Sequence, residues 1–256
     1  MARHVDAIMD GVPLSAVGPI IIQQVQEPAA DVEITYGARP GRNGQDVLST
    51  KRRALHVVLQ TAVHELYNLG RRNEVVQAMA AWAGGSVLEL SNHPGQRLHV
   101  TRKSGPALEN VRDYTAQISV DLEADMIPFW EEKMPVTASG TGTSGSKTLF
   151  IPGTADEIPV NAVFTPTGTL TALAVTAACG GITRSISLSG MSITGAVSFE
   201  RDAFNRLSIK SGSTSLLRYR SEASDDDLLI PAGTATLTWS ASVSGSMQFS
   251  ARGLWL

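Results

Sequence analysis

The stretch "YTAQISVDLEA", residues 114–124, has the most regular alternation of apolar and polar side chains in the chain. Its apolar positions are Tyr114, Ala116, Ile118, Val120 and Leu122. Successive side chains of a strand point to opposite faces, so apolar residues at every second position indicate one buried face. The stretch therefore predicts a long strand with one face covered by a core.

Upstream, "DVEITYG" alternates in the same way, which predicts a strand with one solvent-exposed face. Asn43 and Gly44 then supply the positive backbone angles that a tight hairpin turn requires. The chain returns through "RRALHVVLQ", so residues 32–60 are predicted to form a long two-stranded arm.

One helix is predicted between these strands, in "RNEVVQAMAAWAGG". Its apolar stripe is formed by Val75, Val76, Met79 and Trp82. Asn73 can cap its start and Gly84 can close its end. Further along, "SVLEL" and "RLHVT" flank "SNHPGQ" as a hairpin. Residues 1–136 are therefore predicted to form a mostly antiparallel β-sandwich with one helix and a projecting hairpin.

The composition changes at "TASGTGTSGSKT", residues 137–148. Gly, Ser and Thr cannot fill a core, so this stretch is predicted to be a linker. Beyond it, residues 149–256 contain short β segments separated by Gly and polar turns, without a helical pattern. That organisation is typical of a β-sandwich of the jelly-roll type. The fold class predicted for the whole chain is mainly β, in two domains.

Composition excludes several classes of function. The 256 residues include 43% hydrophobic and 18% charged side chains, which describes a globular protein, and the net charge of -3 argues against a general nucleic-acid binder. The single cysteine, Cys179, excludes an intrachain disulfide. We expect no secretory signal in "MARHVDAIMDGVPL", and the apolar runs are too short to span a bilayer.

Three adjacent aspartates, Asp225, Asp226 and Asp227, are a candidate cation site. Calcium needs six or more oxygens from several directions, whereas adjacent residues of an extended chain point to opposite faces. A solvated turn ahead of an apolar segment is therefore the favoured interpretation. "HELYN" begins like a zinc-protease helix but has Asn68 where the second histidine must lie. We expect no metal site, no cofactor and no enzyme.

Basic residues are concentrated on the arm, at Arg39, Arg42, Lys51, Arg52 and Arg53. Acidic residues lie on or beside the long strand, at Asp113, Asp121, Glu123 and Asp125. The arm residues either protect a solvated strand edge or form a charged seam with a neighbouring copy. The candidate subunit contacts are these nine residues together with Asn43 of the predicted turn.

Several stretches, taken in order, resemble the N-terminal half of the distal tail proteins of long-tailed bacteriophages. They are "DGVPL", "YGARPGRNGQ", "RALHVVLQ", "NEVVQAMAAWAGG", "LELSNHPGQRLHVT" and "YTAQISVDLEADMIPFWEE". The second half, notably "DDDLLIPAGTATLTWSAS", looks like the C-terminal domain of that family. The order of these short motifs carries the resemblance, which covers nearly the full chain.

The resemblance implies a structural protein of the virion. In that family six subunits form a ring, with a belt of N-terminal domains and galectin-like second domains outside it. The ring joins the tail tube to the tail tip or baseplate, so the implied partners are other copies, the tail tube protein, and tip, hub or fibre proteins. Assembly in the host cytoplasm, without a membrane or sequence-specific nucleic acid, is the corresponding expectation.

Two other functions stay open from the sequence. A carbohydrate-binding tail adhesin could use Trp239 and Trp255, although each lies in a strand where core packing explains it equally well. A tail tube or tail terminator subunit would share the ring-forming β-sandwich and hairpin, but usually has no second domain of this kind.

Overall fold

The computed structural model describes residues 5–28, 31–38, 45–66, 69–112, 114–202 and 205–256. The protein is mainly β with one α-helix in the described residues, as predicted from the sequence. It divides into a first unit, Met1–Trp130 with Leu256, and a second unit, Glu131–Trp255. The division falls before the stretch 137–148 in which the composition placed a linker.

The described strands of the first unit range from two to ten residues in length. They are β1 (Ala7–Met9), β2 (Val12–Pro13), β3 (Ile20–Gln26), β4 (Val32–Ala38), β5 (Gln45–Arg52), β6 (Leu55–Val63), β7 (Val87–Leu90), β8 (Gln96–His99), β9 (Thr101–Arg102), β10 (Ala107–Arg112) and β11 (Thr115–Ala124). A short 3-10 helix, Leu14–Ala16, follows β2, and the α-helix α1 spans Leu69–Trp82.

The strand β11 is central to the larger sheet, whose order is β10-β11-β6-β3 with β9 also paired to β11. Its burial alternates from Thr115 to Ala124, with Ile118, Val120 and Leu122 fully buried, so the predicted covered face is confirmed. Tyr114 lies outside the strand and is exposed. The buried hydroxyl of Thr61 on β6 donates to the carbonyl of Ile118 at 2.9 Å, which satisfies a polar group in this core.

The smaller sheet of the first unit has the order β2-β1-β7-β8, and the predicted hairpin of β7 and β8 pairs Val87 with His99. The helix α1 begins at Leu69 rather than after Asn73, so Asn73 is an internal helical residue and not the cap. Its end at Trp82 lies two residues before Gly84. Trp82 Nε1 donates to the carbonyl of Val12 at 2.8 Å, which ties the helix to β2.

The predicted arm is a two-stranded antiparallel ribbon of β4 and β5, which pairs Val32 with Arg52 and Gly37 with Asp46. It is shorter than residues 32–60, because Leu55–Val63 form β6 within the larger sheet. The register shifts after Thr35, where Leu48 is the extra residue and lies against Gly37. The predicted turn residues Asn43 and Gly44 lie outside the described residues.

The strands of the second unit range from two to nineteen residues in length. They are β12 (Trp130–Glu132), which begins at the last residue of the first unit, β13 (Val136–Ile151), β14 (Ile158–Pro166), β15 (Leu170–Cys179), β16 (Ile182–Ile193), β17 (Val197–Arg201), β18 (Leu207–Ser211), β19 (Thr214–Ser215), β20 (Leu229–Ile230), β21 (Gly233–Ala251) and β22 (Leu254–Trp255). A 3-10 helix, Leu217–Tyr219, lies between β19 and β20.

One strand, β21, organises this unit. On one side β21 pairs with β13 through residues 233–240 and 245–251. On its other side the first half pairs with β15 and the second half pairs with β14. The register with β13 shifts between Gly142 and Ser144, where β21 passes from one half to the other. Trp239 of the first half and Phe249 of the second half meet in the core, with ring centroids 6.2 Å apart.

The prediction of a linker at residues 137–148 is wrong, because these residues lie inside β13 and pair with β21. Their composition is suited to an edge strand, whose outer side needs no core. Two glycines of β13 also make room for an indole: a Cβ on Gly140 or Gly145 would lie 2.4 or 2.2 Å from Cη2 of Trp239. The small residues that suggested flexibility are therefore packing positions.

Candidate functional site

The arm carries an apolar face that the chain itself leaves open. Val32, Ile34 and Tyr36 lie on one side of β4, and Val47 lies opposite Tyr36 on β5. All four are exposed, with Tyr36 at 52% and Val47 at 58%. The sequence predicted one covered face for this strand, and in the single chain that face is not covered. An isolated two-stranded ribbon is marginal in water, so an apolar face on it indicates a packing partner.

The basic residues at the base of the arm are only partly available for a neighbour. Arg53 Nε lies 3.7 Å from Glu33 Oε2, and both side chains are well exposed. The guanidinium of Arg52 lies over the ring of Phe129, 5.8 Å from its centroid. Lys51 is exposed and forms no ion pair with any described residue. Three other predicted contacts, Arg39, Arg42 and Asn43, lie outside the described residues.

The acidic residues of β11 are not all free either. Glu123 lies close to two basic side chains of its own chain, with His56 Nε2 at 3.4 Å and Lys103 Nζ at 3.5 Å. His56 stands directly across from Glu123 in the register of β6 and β11. The sequence offers no signal for these pairs, because His56 is 67 residues away along the chain. In the part of the chain that the structure describes, Asp121 and Asp125 form no ion pair, and Asp113 lies outside it.

The three aspartates of the second unit bind three different arginines. Asp225 pairs with Arg184 at 3.3 Å, and Asp226 pairs with Arg220 at 2.9 Å. The two carboxylate oxygens of Asp227 accept hydrogen bonds from the two terminal nitrogens of Arg201. This two-pronged ion pair, called the fork below, is the most buried of the three pairs. All three aspartates are therefore ion-paired, whereas the sequence predicted a solvated turn. The carboxylates diverge toward separate partners, which leaves no common centre for a cation.

The segment that contains these aspartates also covers a strand edge. The backbone N–H of Asp225 donates to the carbonyl of Ser185 at 2.8 Å, and Asp225 Oδ2 accepts from the N–H of Ser185 at 2.6 Å. Ser221 donates in the same way to the carbonyl of Ser187 at 2.9 Å. Both serines belong to β16, an edge strand of its sheet. The acidic stretch thus occupies the backbone groups of an edge that would otherwise be open.

We predict that Asp227→Asn destabilises the protein by about 2 kcal/mol, because it leaves the largely buried guanidinium of Arg201 without its counter-charge. Asp226→Asn is the matched control, because that side chain is 96% exposed and an exposed pair contributes little. Urea unfolding of the two variants measures the difference. Equal stabilities would show that the fork contributes no more than a surface pair.

The remaining polar clusters have structural partners. His93 Nε2 lies 2.7 Å from Glu27 Oε2, Nδ1 lies 3.3 Å from Gln96 Oε1, and the ring stacks on Trp130 with centroids 4.1 Å apart. Among the described residues, no group of three or more His, Cys, Asp or Glu side chains could hold a metal ion. No helix in the described ranges is long and apolar enough to cross a membrane.

The two tryptophans that an adhesin could use are engaged elsewhere. Trp239 is 4% exposed and packs against Phe249 in the core of the second unit. Trp255 Nε1 donates to Glu132 Oε1 at 2.9 Å. The burial of Trp239 and the hydrogen bond of Trp255 give both indoles a structural role, which favours packing over sugar binding as the explanation for these tryptophans.

Comparison with known proteins identifies the fold. No protein-family model matches the chain, and no curated protein matches its sequence. The crystal structure of the Dit protein of phage SPP1, described as a paradigm of the hub adsorption apparatus in phages that infect Gram-positive bacteria, matches 98% of this chain and 99% of that chain. The TM-score is 0.68 and the sequence identity is 12%.

Two structures of the phage p2 baseplate in its activated conformation, one with strontium and one with calcium, are also similar. Each is 11% identical, with TM-scores of 0.47 and 0.46. They cover 98% and 99% of this chain, and 98% of their own chain in each case. At those TM-scores the baseplate chains add nothing to the fold assignment. The chain has the fold of SPP1 Dit along almost its whole length, so the resemblance to distal tail proteins predicted from the sequence is confirmed at the level of the fold.

Proposed function

We propose that this chain is a structural protein of a phage virion, the hub subunit at the distal end of the tail. Six copies form a ring that connects the tail tube to the tail tip or baseplate, and the subunit acts by assembly rather than by catalysis. The observation that carries the proposal is the fold shared with SPP1 Dit across both units, at a TM-score of 0.68. Fold alone does not specify function, so the proposal also needs a surface suited to assembly.

The arm supplies that surface. Its apolar face, formed by Val32, Ile34, Tyr36 and Val47, is exposed on a ribbon too thin to have a core of its own. In a cyclic ring every subunit offers one patch to the next copy and receives a different patch from the previous one. The arm apolar face is the patch that each subunit offers, and a neighbouring first unit receives it. Tyrosine is enriched at the centre of such contacts.

Charges at the rim set the register of this contact. Among the described residues, the cations without an ion pair at the base of the arm are Lys51 and Arg52, and the carboxylates without one on and after β11 are Asp121 and Asp125. Arg39, Arg42, Asn43 and Asp113, which lie outside the described residues, also belong to the predicted contact set. Rim charges contribute to orientation and association rate more than to affinity, and salt weakens them.

The partners of the ring are the tail tube protein on one side and tail tip, baseplate hub or fibre proteins on the other. The location is the phage tail, with assembly in the host cytoplasm. The first unit, which carries the arm, forms the belt of the ring, and the second unit lies outside it.

Native mass spectrometry and negative-stain microscopy of the purified chain test the ring. We expect a species of about 163 kDa, six times the chain mass of 27.1 kDa, seen as separate rings in micrographs. Stacked tubes would instead indicate a tail tube subunit. A monomer at every concentration up to the micromolar range would contradict self-assembly.

A further inference from the structure

The second unit has two long edge strands, β16 and β13, and within the described ranges only one of them is covered by another segment of the chain. The edge of β16 is covered by residues 221–225, which bind its backbone at Ser185 and Ser187. At the other side, β13 pairs with β21 alone among the described residues, so the outer edge of this sixteen-residue strand has no backbone partner there. An edge of this length presents a row of N–H and C=O groups that can bind another strand.

The composition of β13 does little to prevent such pairing. Proteins commonly protect an edge with charged side chains or proline. The sequence of β13, "VTASGTGTSGSKTLFI", contains one charged residue, Lys147, and no proline. The register shift at Gly142 and Ser144 divides the strand into two halves. Lys147 lies in the second half, Ser144–Ile151, so that half has both a continuous ladder and a charge.

The side chains of this half specify what would bind there. The stem of Lys147 lies over Gly140, where an added Cβ would be 3.0 Å from its Cε. Both residues line a cavity of about 590 Å³, together with Gly145, Trp239 and Ser246. No described residue forms an ion pair with Lys147. On the opposite face of the strand, Phe150 is 64% exposed.

We propose that Ser144–Ile151 of β13 is a docking edge for an extended strand of another protein. The incoming strand pairs antiparallel with this half of β13. It places a carboxylate opposite Lys147 and an apolar side chain opposite Phe150. Main-chain hydrogen bonds supply affinity in this mode, and the side chains at the two positions supply specificity. The inference stands on the second unit alone and does not depend on the proposed ring.

A second copy of the same edge does not fit this site. The whole of β13 lacks Asp and Glu, so pairing two copies edge to edge would leave both Lys147 side chains without a carboxylate. Because edge-to-edge pairing of two copies is disfavoured in this way, the proposal takes as occupant a different polypeptide whose strand carries the acidic residue.

Hydrogen-exchange mass spectrometry of the full-length protein tests the site with a defined probe. The probe is the acetylated and amidated peptide Thr-Leu-Thr-Val-Glu-Val-Thr-Thr, in which Leu falls opposite Phe150 and Glu opposite Lys147. The control peptide has Lys in place of Glu. We expect protection of residues 144–151 but not 137–142, with about fivefold weaker binding of the control peptide. In the variant Lys147→Glu, which changes an exposed side chain, the preference should reverse.

The outcomes separate the alternatives. Protection of 144–151 that follows the charge of both peptide and variant supports the docking edge. Equal binding of the two peptides, protection of other segments, or no protection at millimolar peptide overturns it. Concentration-dependent protection of 144–151 without any peptide would show that a second copy covers this edge, and would overturn it as well.

Discussion

The variant Tyr36→Asp is expected to stay folded and to lose assembly. Tyr36 is 52% exposed, so its removal leaves no cavity in the single chain, and surface substitutions of this kind change stability by about 0.5 kcal/mol or less. In the proposed ring the same side chain lies inside a subunit contact, where burying an unpaired carboxylate is strongly unfavourable. We expect the concentration at which the ring dissociates to rise about 100-fold or more.

Mass photometry across a dilution series measures this effect. Ile182→Glu is the matched control, because Ile182 is an exposed strand residue of the second unit and lies outside the proposed contact. We expect this control to assemble like the parent chain. If Tyr36→Asp also assembled normally, the arm apolar face would not be the subunit contact, and this conclusion would hold for any number of subunits.

The largest loss of stability is expected for Gly145→Ala. The added methyl group would lie 2.2 Å from Cη2 and 2.5 Å from Cζ2 of Trp239. Because Trp239 is 4% exposed and packs against Phe249, a shift of the indole would disturb this contact, and overpacking of this kind destabilises by about 3 kcal/mol. Gly140→Ala, with an approach of 2.4 Å to the same ring, should behave in the same way.

A double-mutant cycle identifies the indole as the cause. Trp239→Phe shortens the side chain and removes the atoms that the methyl group would meet. In that background Gly145→Ala should cost at least about 2 kcal/mol less than in the parent chain, as measured by urea unfolding. Gly168→Ala is the control, because its Cβ would have only an ordinary contact of 3.5 Å with Val243. Additive losses in the cycle would rule out the clash as the source.

The sequence could predict elements whose own residues carry the signal. Alternation in β11 identified both the strand and its buried face, because one side of that strand is covered by the core of its own unit. The hairpin of β7 and β8 and the stripe of α1 were found for the same reason. The start of α1 was missed because Asn73 is as suitable for a cap as for a helical position on the surface.

Elements defined by a distant partner could not be predicted. The composition of β13 favours a linker, and only its pairing with β21, almost one hundred residues later, makes it a strand. The partners of the three aspartates, Arg184, Arg201 and Arg220, likewise come from other parts of the chain. Within the predicted contact set, Glu123 has His56 and Lys103 of its own chain as partners, which the sequence does not indicate.

The position of β21 has a consequence for the order in which the second unit can form during synthesis. Before Gly233 leaves the ribosome, β15 can pair with β16, and β14 with β17, but neither group is joined to the other and β13 has no partner. The nineteen residues of β21 join all three at once. Pairings between distant residues are slow to form, so this unit should complete its fold only after β21 has been synthesised, whereas β1–β11 and α1 are already available to fold ahead of it.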